Sequence, residues 1–277
     1  MWTSRHGGER TTVCVAGAWL LAGALVLSMG VPLVAQTTGD APPPASPPGL
    51  DAEAEAASEL TPILLVPGWS DGAATMGPLE ILLREAGWPD SRVERVEFED
   101  PVGSNRGHAD ELAAALYRLR ERTGAERVDV VAHSMGGLAT RYFLQNGGGD
   151  VVRRVVFVAT PHRGTWTAYL AWGEGGREMQ PGSLFLMDLQ AFRAVPSGVE
   201  AITLRTKVDF HVLPPESATL VGIPDVEVCC PSHEGLLSHP DAFQAIRRFL
   251  TRGEAPESLG PGGMGDSGET AGAGGGP

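Results

Sequence analysis

Short, almost purely apolar runs alternate along this chain with longer stretches in which apolar residues recur at helical spacing. Residues 62–66 (PILLV) form such a run and stop at Pro67-Gly68, which predicts a buried strand leading into a tight loop. From Gly77 to Gly87, Leu79, Leu82 and Leu83 share one face, and the closing glycine predicts the end of a helix. Over 92–98, Val93, Val96 and Phe98 interleave with charged residues, the pattern of a strand with one wet face or near an edge. Leu112, Leu116 and Leu119 make a stripe over 109–123 ahead of Gly124, which predicts a second helix. Strands are predicted at 127–132 (RVDVVA) and 153–159 (RRVVFVA), with a helix over 135–146 between them that ends at Gly147. Further strands follow at 202–206 and 226–229. Strands that alternate with helices imply the α/β class, a mainly parallel sheet with helices on both faces. The unbroken apolar runs ILLV and VVFVA are what central parallel strands require, because both of their faces are covered.

The ends of the chain break this pattern. Arg5 and Arg10 precede an apolar stretch over 13–34, followed by Ala35 and the polar QTTGD. A basic region, an apolar run and a small residue before a polar start predict a signal peptide over 1–35, cleaved after Ala35. Gly30 and Pro32 break the helix late in the run, as cleavage favours. The alternative is an uncleaved anchor, since about 20 apolar residues can span a bilayer. Either way the expected location is extracytoplasmic: secreted or periplasmic if cleaved, membrane-anchored if not. Residues 36–60 are rich in Pro, Ala and Glu and nearly devoid of large apolar side chains, so they predict a disordered linker. The Gly-rich residues 253–277 predict a disordered tail. The folded core is expected over 61–252, one domain's worth of chain.

Charge and cysteine content narrow the partners. Twenty-one basic residues stand against 34 acidic ones, for a net charge of −13. No basic stripe exists, so nucleic acid is not an expected partner. Cys14 falls in the leader, which leaves the adjacent Cys229 and Cys230. A disulfide between neighbours strains the peptide joining them, so two unpaired thiols are expected.

The chemistry concentrates in Val130-Val131-Ala132-His133-Ser134-Met135-Gly136-Gly137. A β-branched strand runs into a serine flanked by small residues and then into a helix, the nucleophile-elbow pattern G-x-S-x-G with Ala132 at the first glycine. The serine must stand on a sharp, strained turn to project its hydroxyl over the sheet edge. Small residues two before and two after let strand and helix close around it. The N–H of Met135, at the positive end of the helix, then faces a reacting carbonyl oxygen. The plainer alternative is a serine that only caps a helix.

VDVVAHSMGGL, the upstream PILLVPGW and the downstream VFVATPHRGT together resemble a bacterial secreted lipase of the α/β-hydrolase fold. The resemblance is to the small Bacillus-type lipases and the broader class 2 lipase and esterase group, which also carry alanine at the first elbow position. It covers residues 61–252. In this fold the acid and the base follow the serine in the order Ser, Asp, His. Asp209 lies past the strand at 202–206, and His233 lies past the strand at 226–229. Parallel sheets place their sites at these C-terminal strand ends. VDFHVLPPESATLVG and SHEGLL match the family's acid and histidine segments, with Ser232 where the family has Gly. The resemblance therefore implies a catalytic triad of Ser134, Asp209 and His233. The rivals are His239, His211, which sits two residues past the acid, and Asp225, which precedes a strand. His133 reads as packing beside the serine. For the oxyanion hole, the resemblance implies the N–H groups of Met135 and Trp69, with Pro67 in place of the common His. As an alternative, Trp69 is a core aromatic.

The loop Thr160-Pro161-His162-Arg163-Gly164-Thr165 rims the site in relatives. A metal at His162 would lack second and third ligands at usable spacing. Residues 166–197 read either as a partial cap, with Trp166, Leu184 and Phe185 lining an acyl-binding cleft, or as an ordinary crossover helix. The resulting expectation is a secreted serine hydrolase that cleaves carboxylic esters, a triacylglycerol lipase, without cofactor or metal. Its partner is a lipid or small ester, with transient contact to a lipid interface. The alternatives are a short-chain carboxylesterase or acyltransferase with the same triad, and a binding module that has kept the fold but not the activity.

Overall fold

A computed structural model describes residues 60–254. The expected signal peptide, the linker up to residue 59 and the tail from 255 lie outside the described residues. Six strands form one all-parallel sheet in the order β2-β1-β3-β4-β5-β6. They are β1 Ile63–Val66, β2 Val93–Arg95, β3 Val128–His133, β4 Val152–Val158, β5 Glu200–Arg205 and β6 Asp225–Glu227. The helices are α1 Gly77–Glu85, α2 Asn105–Thr123, α3 Met135–Gln145, α4 Gly173–Glu178, α5 Leu184–Ala191 and α6 Pro240–Arg252.

Side chains alternate faces along each strand, and the apolar runs therefore feed two cores. Ile63, Leu65, Val131, Val156, Val158, Ile202 and Leu204 pack on one face with Leu79 and Leu83 of α1 and Ile246 and Phe249 of α6. Leu64, Val66, Val130, Ala132, Val155 and Phe157 pack on the other with Leu112, Leu116 and Leu119 of α2 and Phe143 of α3. Full burial of each such side chain contributes about 1.5–3 kcal/mol. The strands are therefore read correctly as covered on both faces.

The elements depart from expectation at their ends. Strand β2 stops at Arg95, although Val96 and Phe98 stay buried and the Val96 N–H still donates to the Leu65 carbonyl at 2.9 Å. Helix α2 begins four residues before its apolar stripe. Ser104 caps it by accepting from the Arg106 N–H, and the Glu178 carboxylate accepts from both N–H groups of Asn105 at 2.7 and 2.8 Å. Gly124 ends it at φ +68°, a left-handed conformation that glycine adopts without a steric penalty. At the core's borders, the carbonyl of Leu60 accepts from Arg92 at 2.9 Å, and Gly253 caps α6 at φ +72°. Contrary to the expected thiols, Cys229 and Cys230 are joined as a disulfide. The peptide between them is cis, which brings their Cα atoms to 3.0 Å.

Candidate active site

The C-terminal ends of the strands converge on one cleft, of about 430 Å³. Ser134 stands at the junction of β3 and α3 with φ +51° and ψ −128°, a conformation that costs a non-glycine residue about 1–3 kcal/mol. The turn is pinned by the Ser134 N–H, which donates to the Val158 carbonyl of β4 at 2.8 Å. It closes because its neighbours are small. A Cβ on Gly136 would stand 2.2 Å from the Pro67 carbonyl oxygen, and one on Gly137 would stand 2.0 Å from Thr160 Oγ1. A Cβ on Gly68, in the loop after β1, would meet the Ser134 Cβ at 2.9 Å. The elbow and the loop after β1 are thus pressed together backbone to backbone. Gly136→Ala gains about 1 kcal/mol of helix propensity but pushes on a main-chain oxygen that cannot swing aside. The expected result is a net loss of about 1–3 kcal/mol in stability, measured by urea denaturation. A fall in kcat of at least tenfold is expected as the loop carrying Trp69 shifts.

His233, which follows β6, lines the cleft with Ser134. Its Nδ1 is 2.7 Å from Oδ2 of Asp209, and both side chains are nearly fully buried. The other oxygen, Oδ1, accepts the main-chain N–H groups of His211 and Val212 at 2.8 Å each. Burial pushes the Asp209 carboxyl up, but the His233 hydrogen bond and charge and the two N–H donors hold it below the usual carboxylate range. An ionised Asp209 fixes the proton on Nδ1, which leaves Nε2 with its lone pair to accept a proton. The main-chain N–H groups of Trp69 and Met135 have no hydrogen-bond partner among the described residues. The Trp69 ring meets Trp172 edge-on, with centroids 4.4 Å apart, and its indole N–H donates to the Trp172 carbonyl at 3.1 Å.

The rival residues have other employment. His239 caps α6 by accepting from the Asp241 N–H. Asp225 begins β6, at the opposite end of the strand from His233, and accepts from Thr203 and Arg205. His211 lines the cleft with its ring 4.9 Å from that of His233, and its Nδ1 meets Glu234 at 2.9 Å. His133 is buried, its ring 4.6 Å from that of His233. Burial first, then the charges of His233 and His211, push its pKa well below the usual range and keep it neutral.

The three residues expected to line an acyl cleft are not brought to it. Phe185 is buried against Met135, Leu138 and Leu186 in a third small core. Leu184, one residue earlier on α5, is 79% exposed, as a rotation of roughly 100° per helical residue requires. Trp166 stacks on Tyr169, three residues on in a 3₁₀ turn, where i and i+3 eclipse. Residues 166–197 fold as short helices in place of one crossover helix, and the cleft wall comes from Thr167, Ala168, Leu170, Ala171 and Trp172. Asp71, in the loop after β1, also lines the cleft. Burial above all, and then Glu234, raise its carboxyl above the ordinary value. Its place between Gly68 and Gly72, in a loop already read as functional, was the one signal for it. Among the described residues no three side chains are clustered to hold a metal.

The model of the alpha/beta hydrolase fold family matches residues 62–198. A triacylglycerol lipase of Pseudarthrobacter phenanthrenivorans is 35% identical over 68 residues, which are 24% of this chain and 21% of that enzyme. A triacylglycerol lipase of Burkholderia plantarii is 35% identical over 68 residues, 24% of this chain and 18% of its own. The match thus spans about a fifth of the length of these curated relatives. Among solved structures, Aspergillus fumigatus lipase B superposes with a TM-score of 0.60 at 20% identity, over 72% of this chain and 54% of that one. The mature Bacillus licheniformis lipase BlEst2 superposes with a TM-score of 0.60 at 16% identity, over 69% and 91%.

Proposed function

We propose that this chain, which has the α/β-hydrolase fold, is a serine hydrolase that cleaves carboxylic esters, acylglycerols in particular. The observation that carries the reading is a strained Ser134 facing one cleft with His233, whose Nδ1 is held by Asp209 at 2.7 Å. Ser134 Oγ attacks the ester carbonyl as Nε2 of His233 takes its proton. The N–H groups of Trp69 and Met135 receive the oxyanion. The alcohol leaves with the proton from His233. Water, activated by the same imidazole, then releases the acid and restores the serine. Asp209 orients the ring and stabilises its charged form throughout. The two aligned relatives carry the name triacylglycerol lipase, which supports a lipid ester as substrate.

The surface beside the cleft supports the same class. Trp166, Tyr169, Leu170 and Trp172 are more than half exposed on one short segment, with Leu184 and Met187 of α5 following in the chain. Large apolar side chains left exposed together beside a cleft suit a contact site, and an ester held in a droplet or bilayer would supply the contact. Purified enzyme should hydrolyse p-nitrophenyl esters, and activity should rise toward long acyl chains. Tyr169→Ser with Trp166→Ser, two exposed residues that do not line the cleft, should cut turnover of emulsified triacylglycerol about tenfold or more, yet leave that of soluble butyrate esters within about twofold. A peak at two to four carbons with no effect of the double variant would make the enzyme a short-chain esterase. Acyl transfer to an added alcohol in preference to water would make it an acyltransferase. Export rests on the sequence of residues 1–35, and the intact mass of the secreted protein tests cleavage after Ala35.

A further inference from the structure

A second cavity, of about 380 Å³, takes its walls from α3, the loop after β4, the end of α5 and the segment 219–221. Its deepest side chains are Arg141 and His162, both almost completely buried. Arg141 Nη2 donates to the Leu189 carbonyl at 3.0 Å, but its Nε and Nη1 have no acceptor among the described residues. Both ring nitrogens of His162 likewise have none. Burial lowers the Arg141 pKa to about 10. It holds His162 well below the usual range, helped by the charges of Arg141 and Arg163, so the imidazole is a neutral donor.

Two more guanidinium groups, Arg163 and Arg193, line the same cavity. Arg163 donates to Thr219 Oγ1 and to the Glu216 carbonyl. None of the three arginines has a carboxylate partner among the described residues, although the described arginines 84, 95, 106, 122, 153, 154 and 205 all do. In a chain of net charge −13, three cations line this cavity with no carboxylate among its walls, and the buried donors of Arg141 and the ring nitrogens of His162 go unmet. A buried guanidinium is costly unless its charge is answered, and its planar fork matches an oxyanion. The mouth of the cavity is of another kind: Phe192 and Val221 stand largely exposed there.

We propose that this cavity is a second ligand site, which takes the carboxylate or phosphate head of an amphiphilic anion on Arg141 and His162 and lays its apolar part against Phe192 and Val221. The site is separate from the Ser134 cleft, and its occupancy does not depend on ester hydrolysis.

The test is calorimetric titration of the full chain carrying Ser134→Ala with decanoate, decyl phosphate and uncharged decanol. The expected result is one saturable site for at least one of the two anions, with decanol at least tenfold weaker. The preference between decanoate and decyl phosphate then separates a free fatty acid from a phosphate-bearing lipid. Adding Arg141→Met should weaken the anion at least tenfold. Exposed substitutions that leave the buried site alone, Arg193→Gln and Val221→Asp, should each weaken it about threefold or more. These carry the test if the Arg141 variant does not fold. Saturable binding that decanol matches, binding indifferent to Arg193→Gln and Val221→Asp, or no binding by either anion would overturn the proposal.

Discussion

Replacing Ser134 with alanine should leave a folded protein that has lost nearly all turnover. The expected fall in kcat on a p-nitrophenyl ester is about four to six orders of magnitude, with labelling by a fluorophosphonate abolished. The fold should survive because the hydroxyl holds nothing up. Ser134 precedes α3 without making a side-chain capping bond, and the elbow is pinned by its main-chain N–H on the Val158 carbonyl. Alanine keeps that bond and the positive φ, so the thermal midpoint should move by only a few degrees. The residual rate should stand above the uncatalysed one, because the N–H groups of Trp69 and Met135 and the cleft remain. Turnover within tenfold of the parent would remove Ser134 from the chemistry. The triad would then be a structural motif of a binding protein.

The elbow was legible because its chemistry imposes a local covalent pattern. A strained serine between strand and helix demands small neighbours, and Ala132, Gly136 and Gly137 lie within three positions of it in sequence. The strands were legible for a similar reason, since a parallel strand buried on both faces has to be apolar throughout. Asp209 and His233 were harder, separated from Ser134 by 75 and 99 positions. They can be placed only through the fold: both stand past the C-terminal end of a strand, whereas Asp225 precedes its strand, and the resemblance alone sets His233 apart from His239. Trp166, Leu184 and Phe185 do not line the cleft: an apolar segment does not say which way it faces. Leu184 and Phe185 are neighbours, yet one is in solvent and the other in a core. Helix α6 is not among the elements predicted above, although Ala242, Phe243, Ile246, Phe249 and Leu250 repeat at helical spacing and pack on α1. The Arg141–His162 cavity has no sequence signature at all. Its members come from four separate elements, and what sets Arg141 and His162 apart is the partner that each lacks among the described residues.

Asp209→Asn separates orientation from mere packing. The carboxylate accepts on both oxygens, from the N–H groups of His211 and Val212 on one and from His233 on the other. An asparagine has a single accepting oxygen. If that oxygen stays on the main-chain donors, its NH₂ faces His233 Nδ1 and drives the imidazole proton onto Nε2. His233 then cannot take the proton of Ser134, and kcat should fall about 10⁴-fold with KM little changed. The same substitution has a stability signature with a fixed sign. The Asp209 carboxyl is held below its usual value in the folded protein: burial raises it, but His233 and the two N–H donors outweigh burial. Its stabilising contribution is therefore complete above the unfolded value of about 3.9 and is lost as pH falls through the lower, folded value. Urea midpoints should accordingly show the parent more stable than Asp209→Asn near neutral pH, with the gap closing as the pH falls below about 4. A gap that stays constant across that range would mean that the Asp209 charge contributes nothing to the fold. A kcat within tenfold of the parent would mean that it does not orient His233, and the acid of the triad would have to be sought in Asp71 or Glu234, the other carboxylates on the cleft.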